Sequence, residues 1–176
     1  MRPTTTLLAL LTAKLLTACA PYALPLPLPQ TQPRLTQDVQ WFKWERYNKG
    51  QEPVQTGILA AEQLEDGIRF VQTDILGAPV SRQTINSGGW QNDGFVMPNM
   101  PSRRLFAALL PLITAENAAP PYPDLKQAGG GASFCKEGAL FRYRNRDIWC
   151  VNHIGGQFLI TLPDQTRWSV TPIEPL

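Results

Sequence analysis

A mainly β domain of the α+β kind, a curved antiparallel sheet or open half-barrel covered by one short helix, is the fold this sequence predicts. Three observations predict it. Past residue 35 most of the chain falls into short segments of alternating apolar and polar residues, set between Gly, Pro, Asn and Asp. Only one stretch, around residues 102–110, spaces its apolar side chains as a helix does. A Pro- and Gly-rich crossing over residues 118–131 divides the β-rich sequence into two blocks.

The elements follow in chain order. Residues 1–18 read as a signal peptide: Arg2 precedes an apolar run over residues 7–16, too short for a membrane span and broken by Lys14. Leu16-Thr17-Ala18-Cys19 ends that run and resembles the bacterial lipobox, in which an aliphatic and two small residues precede the cysteine that receives diacylglycerol. The alternative is a small-residue cleavage site that releases a soluble protein. Residues 19–34, with five prolines between Pro21 and Pro33, are too proline-rich for helix or sheet and are expected to form an extended tether behind the lipidated Cys19.

A single domain over residues 35–176 is expected next. Residues 39–47 read as a strand with Val39, Trp41 and Lys43 on one face and Gln40, Phe42 and Trp44 on the other. Residues 54–63 return antiparallel after Asn48-Lys49-Gly50, and Asp66-Gly67 turns the chain into a third strand at residues 68–73. Strands at 80–85 and 90–95 follow, separated by Asn86-Ser87-Gly88-Gly89. Ser102 is the expected N-cap of the helix, Leu105, Phe106, Leu109 and Leu110 its buried face, and Pro111 its end or kink. Arg103 and Arg104 lie in its first turn, where the helix dipole disfavours cations, and are expected as solvated surface residues or as partners of an anion. Beyond the crossing, residues 140–143, 147–154, 157–162 and 166–171 read as a four-stranded meander.

Charge and cysteine usage bound the function. Of 16 basic residues two, Arg2 and Lys14, fall in the signal segment, leaving 14 against 14 acidic ones and no basic excess to attract nucleic acid. With Cys19 assigned to lipid, Cys135 and Cys150 are an even pair in an oxidising compartment and are expected to bond. A tight turn over residues 144–147 places Cys150 opposite Phe141, so the chain at Cys135 has to fold back, around Gly138, to reach it. The one histidine, His153, sits in a strand without a nucleophile elbow or metal-ligand spacing, and nothing in the spacing of Glu62 and Asp74 makes them an acid–base pair. The sequence thus predicts a non-enzymatic protein with no cofactor and no metal, and leaves its oligomeric state open.

Gly67-Ile68-Arg69-Phe70 leading into Ile75-Leu76-Gly77, the hairpin ending at Gly88-Gly89, the helix from Arg104 to Leu112, and Asn152 followed by Gly156-Gln157-Phe158-Leu159-Ile160 carry a resemblance over residues 37–174. In that order, after a lipobox, they resemble an uncharacterised family of proteobacterial outer-membrane lipoproteins associated with aryl-polyene clusters, and more distantly the LolA/LolB lipoprotein carriers. The cysteine pair departs from the family pattern. The resemblance implies a lipid-anchored protein on the periplasmic face of the outer membrane. By position it makes Leu76, with Ile75 beside it, a loop tip that contacts membrane or acyl chains; the alternative is that both cap the core. It also implies an apolar slot for lipid or lipoprotein acyl chains between sheet and helix, lined by Trp41, Phe70, Leu105, Leu109 and Phe158, although any filled core uses the same residues. Two functions remain: a lipid or lipoprotein carrier, and a structural or assembly lipoprotein that binds another envelope protein.

Overall fold

The computed structural model of the protein describes residues 26–129 and 131–173, so the signal segment and Cys19 lie outside the described residues. Among the described residues ten strands form one open antiparallel sheet: β1 (Val39–Tyr47), β2 (Gln55–Gln63), β3 (Ile68–Asp74), β4 (Pro79–Asn86), β5 (Gly89–Asn92), β6 (Lys126–Ala128), β7 (Ala139–Tyr143), β8 (Arg146–Ile154), β9 (Gln157–Thr161) and β10 (Arg167–Ile173). Their order is β5-β4-β3-β2-β1-β10-β9-β8-β7-β6, and the sheet is not closed into a barrel. The first and last strands thus pair in the middle, Trp41 opposite Ile173 and Tyr47 opposite Arg167, which joins the two blocks seen in the sequence. One helix among the described residues, α1 (Met100–Ile113), packs its apolar side on the sheet.

Alternation decides which face is buried. Phe42 and Trp44 in β1, Leu59 and Ala61 in β2, Ile68 and Phe70 in β3 and Trp168 and Val170 in β10 meet the helix residues Leu105, Phe106, Leu109 and Leu110, all but inaccessible to water. Trp44 shows how a strand carries a large polar-tipped ring inside: its indole N–H donates to the Thr73 carbonyl at 3.1 Å, and its ring meets Trp168 at 5.6 Å.

The helix departs from expectation at both ends. Asn99, not Ser102, is the N-cap: its Oδ1 accepts the backbone N–H of Ser102 at 3.1 Å, and Pro101 stands in the first turn, where its missing N–H is not needed. Pro111 does not end the helix, which runs on to Ile113, with the Thr114 hydroxyl donating to the Leu110 carbonyl at 2.7 Å. Arg103 and Arg104 find partners within the chain: Arg103 donates to Gln83 Oε1 at 2.6 Å, and Arg104 pairs with Asp164 at 3.1 Å.

Three further expectations are corrected. The described part of the expected tether is packed on the domain: Pro27, Pro29 and Pro33 are buried, the Gln30 N–H donates to the Pro121 carbonyl at 3.1 Å, and Leu35 bridges to Thr114. Alternating buried prolines use the fixed extended backbone to present one face to the domain. The fifth strand stops at Asn92: the Asp93 N–H still donates to the Arg82 carbonyl, the next position in register, but the chain then turns at Gly94, φ +91°, and leaves Phe95 outside the strand. The crossing is not wholly irregular: residues Lys126–Ala128 form β6 on β7, and Tyr122 is anchored in the core, where burial pushes its phenol well above the ordinary tyrosine range.

Candidate functional site

The loop between β3 and β4 is built from its carboxylate outward. Asp74 Oδ1 accepts the backbone N–H groups of Leu76 and Ala78, each at 2.9 Å, and the Asp74 N–H donates to the Ala78 carbonyl. Gly77, at φ +83°, supplies the left-handed residue that this closed turn requires. With its polar groups paired inward, the loop turns its two apolar side chains to solvent, Ile75 at 71% and Leu76 at 88% exposure. They do not cap the core.

A second loop, from Asp93 to Asn99, has the same construction. The Asp93 carboxylate takes Arg82 at 2.9 Å and Arg69 at 2.6 Å, and Arg69 also holds Glu62 at 3.0 Å. The hydrogen bond from Arg82, with the charge of Arg69 behind it, holds the Asp93 carboxyl below the usual carboxylate range. Asn99 closes the loop by donating from Nδ2 to the Val80 carbonyl at 3.2 Å. Between these fixed ends Phe95 and Met97 stand free, at 108% and 81% exposure. Sequence reasoning assigned Phe95 to a strand and passed over Met97. The Pro98-Asn99-Met100-Pro101 run was the available signal that a loop, and then a capped helix, starts there.

The five expected cavity liners separate into two groups. Phe70, Leu105 and Leu109 are fully buried, and Phe70 stacks on Phe106 with ring centroids 4.7 Å apart and planes 6° apart. They fill the space between sheet and helix. A pocket of about 10 Å³ beside Leu26, Arg104, Trp149 and Leu162 is close to the least that holds one water. Trp41 is not in that layer: it lies on the face carrying Val39 and Lys43 and is 47% exposed. It meets Phe158 only at the far end of the helix, where both line an open cleft of about 210 Å³ with Phe42, Leu112, Ile113 and Pro172. That is below the ~300–1,000 Å³ of sites that enclose a small-molecule ligand. A cleft of about 380 Å³ lies on the opposite face of the sheet, beside Lys49, Phe134, Lys136, Asn152 and Arg167.

Cys135 and Cys150 form a disulfide, with Cα atoms 5.4 Å apart. The partner across from Cys150 is Leu140, not Phe141: Arg144 and Asn145 both take positive φ in a two-residue turn, and a bulge at Phe141/Arg142 shifts the register. Gly138, at φ +101°, makes the fold-back possible, since a Cβ there would stand 2.4 Å from the Val151 carbonyl oxygen. The disulfide, with Leu140 and partly buried Phe134, makes a small separate core.

No family model, curated protein or solved structure matches this chain. Its chemistry is therefore read from side chains alone. His153 stacks on Phe158 at 4.9 Å. Glu62 pairs with Arg69 in register, whereas Asp74 lies opposite Gly57, five residues down β2 and hence about 17 Å away at ~3.3 Å per residue. Those two carboxylates do not share a cleft. Among the described residues no group of three His, Cys, Asp or Glu is placed to hold a metal, and no helix is long and apolar enough to cross a membrane.

Proposed function

We propose that this chain is an exported lipoprotein, acylated at Cys19 and held on the periplasmic face of the outer membrane, whose domain is non-catalytic and works by surface contact with an envelope protein or with lipid. The observation that carries this reading is the filled space between α1 and the sheet, combined with ordered loops that turn Ile75 and Leu76 outward. An apolar side chain the size of leucine gains ~2 kcal/mol on leaving water, and a folded chain leaves several in one region mainly where something covers them.

The carrier reading, in line with the LolA/LolB resemblance, draws on a different observation: the open cleft of about 210 Å³ where Trp41 and Phe158 meet the last turn of α1. For an acyl chain to pass deeper, α1 has to lift from Phe70. Native mass spectrometry of the mature chain, with titration of a fluorescent fatty acid, separates the two. The contact module carries no non-covalent lipid and leaves the probe's emission unchanged. Stoichiometric co-purified lipid, or saturable uptake of the probe at micromolar concentration, replaces it with the carrier.

A further inference from the structure

We infer that one rim of the sheet is a membrane-contact surface, formed by Val54, Ile75, Leu76, Phe95, Met97 and Met100, which the anchor at Cys19 lays against the bilayer; this rests on the lipid-anchor reading above. All six side chains are substantially exposed. Antiparallel register puts the β1–β2 and β3–β4 connections at the same ends of their strands, Arg46 opposite Gln55 and Gly57 opposite Asp74. Val54 and Ile75 accordingly line one surface cleft. The loop after β5 reaches that rim as well: the Asp93 N–H donates to the Arg82 carbonyl and Asn99 Nδ2 to the Val80 carbonyl, close to where β4 begins.

The chain enters the domain at this rim. Leu26 packs beside Leu162 and Pro163, in the β9–β10 turn. Arg167 Nη2 donates to the Gly50 carbonyl at 2.6 Å, which ties the start of β10 to the β1–β2 turn and makes the rim continuous. Only six residues, Ala20 to Pro25, separate Cys19 from Leu26, so even a fully extended chain spans no more than about 25 Å. A thioether-linked diacylglycerol on so short a leash brings the entry rim to the lipid surface. The other rim has Glu65, Asp66, Asn86 and Ser87 in its turns, and its apolar side chains Val39, Ile154 and Ile173 stand out less than Ile75, Leu76, Phe95 and Met97, at 39%, 51% and 41% exposure.

The form of the patch selects lipid over protein as its occupant. Its side chains stand on separate loops with polar, hydrogen-bonded bases rather than lining one groove, and a bilayer interface accepts single apolar tips without a matching shape. Cleavage before Cys19 would remove Met1, leaving Met97 and Met100 as the methionines of the mature chain, both on this rim and both reactive toward oxidants.

Hydroxyl-radical footprinting tests it. The mature lipidated chain in vesicles of phosphatidylethanolamine and phosphatidylglycerol is compared with the soluble Cys19→Ser protein. Leu76, Phe95 and Met97 are expected to react about fivefold more slowly in the tethered protein, with Trp41 and Ile154 unchanged. Equal reactivity at the rim in a chain whose mass shows the acyl groups overturns the orientation and leaves the anchor standing. Protection of Trp41 and Ile154 in place of the rim overturns it too. A mature chain without acyl mass overturns the anchor reading and this inference together.

Discussion

Phe106→Ala is expected to remove about 4 kcal/mol of stability, a large share of the ~5–15 kcal/mol that holds a domain folded. The ring is fully buried, lies flat against Phe70 at 4.7 Å and touches Trp90 at 6.4 Å. Little slack surrounds it, so truncation leaves a cavity that the helix closes only by abandoning its other contacts. Urea unfolding followed by tryptophan fluorescence measures the loss. A double-mutant cycle with Phe70→Leu is expected to return a coupling of about 1 kcal/mol for the stacked pair. A loss below about 1.5 kcal/mol would show a helix that rests loosely on the sheet, which is what the carrier requires.

Reduction of the Cys135–Cys150 bridge, or its replacement by two serines, is expected to lower stability by about 3 kcal/mol through the freedom returned to the unfolded chain. The bridge closes a loop across 15 residues and sits in a cluster separate from the main core. The reduced domain should therefore keep its far-ultraviolet dichroism while its urea midpoint falls. An unchanged midpoint, with two free thiols before reduction, would show that the bridge does not form in the cell.

Most of the sheet was legible because a half-buried strand writes its two faces into alternate residues, and turns such as Asp66-Gly67 mark where the chain reverses. What was lost is what alternation does not encode. In β1 both faces hold a tryptophan, so aromatic content alone did not choose between Trp41 and Trp44; Lys43 on the face of Trp41 was the better sign, since an unpaired buried charge is costly. The partner of Cys150 was missed by one residue because the turn pairs Tyr143 with Arg146, two places short of the expected register, and the bulge at Phe141/Arg142 restores only one of them. Phe95 was drawn into β5 because an apolar residue after a strand reads as more strand; the turn at Gly94 after Asp93, whose carboxylate Arg82 and Arg69 hold, takes shape only on folding.

The candidate site was legible in one loop and not in the other. Leu76 and Phe95 stand nineteen positions apart in sequence and share a rim only because β3, β4 and β5 form a meander. No local pattern states that. The short leash became visible only once Leu26, Pro27 and Pro29 were seen packed on the domain, since an unpacked proline-rich segment would reach tens of ångströms further at ~3.1 Å per residue.

The intact mass of the mature chain extracted from membranes tests the account most directly. A chain that begins at Cys19 and carries covalent acyl groups, with Cys135 and Cys150 oxidised, is the predicted result; an unmodified chain that begins downstream of residue 19 would contradict it.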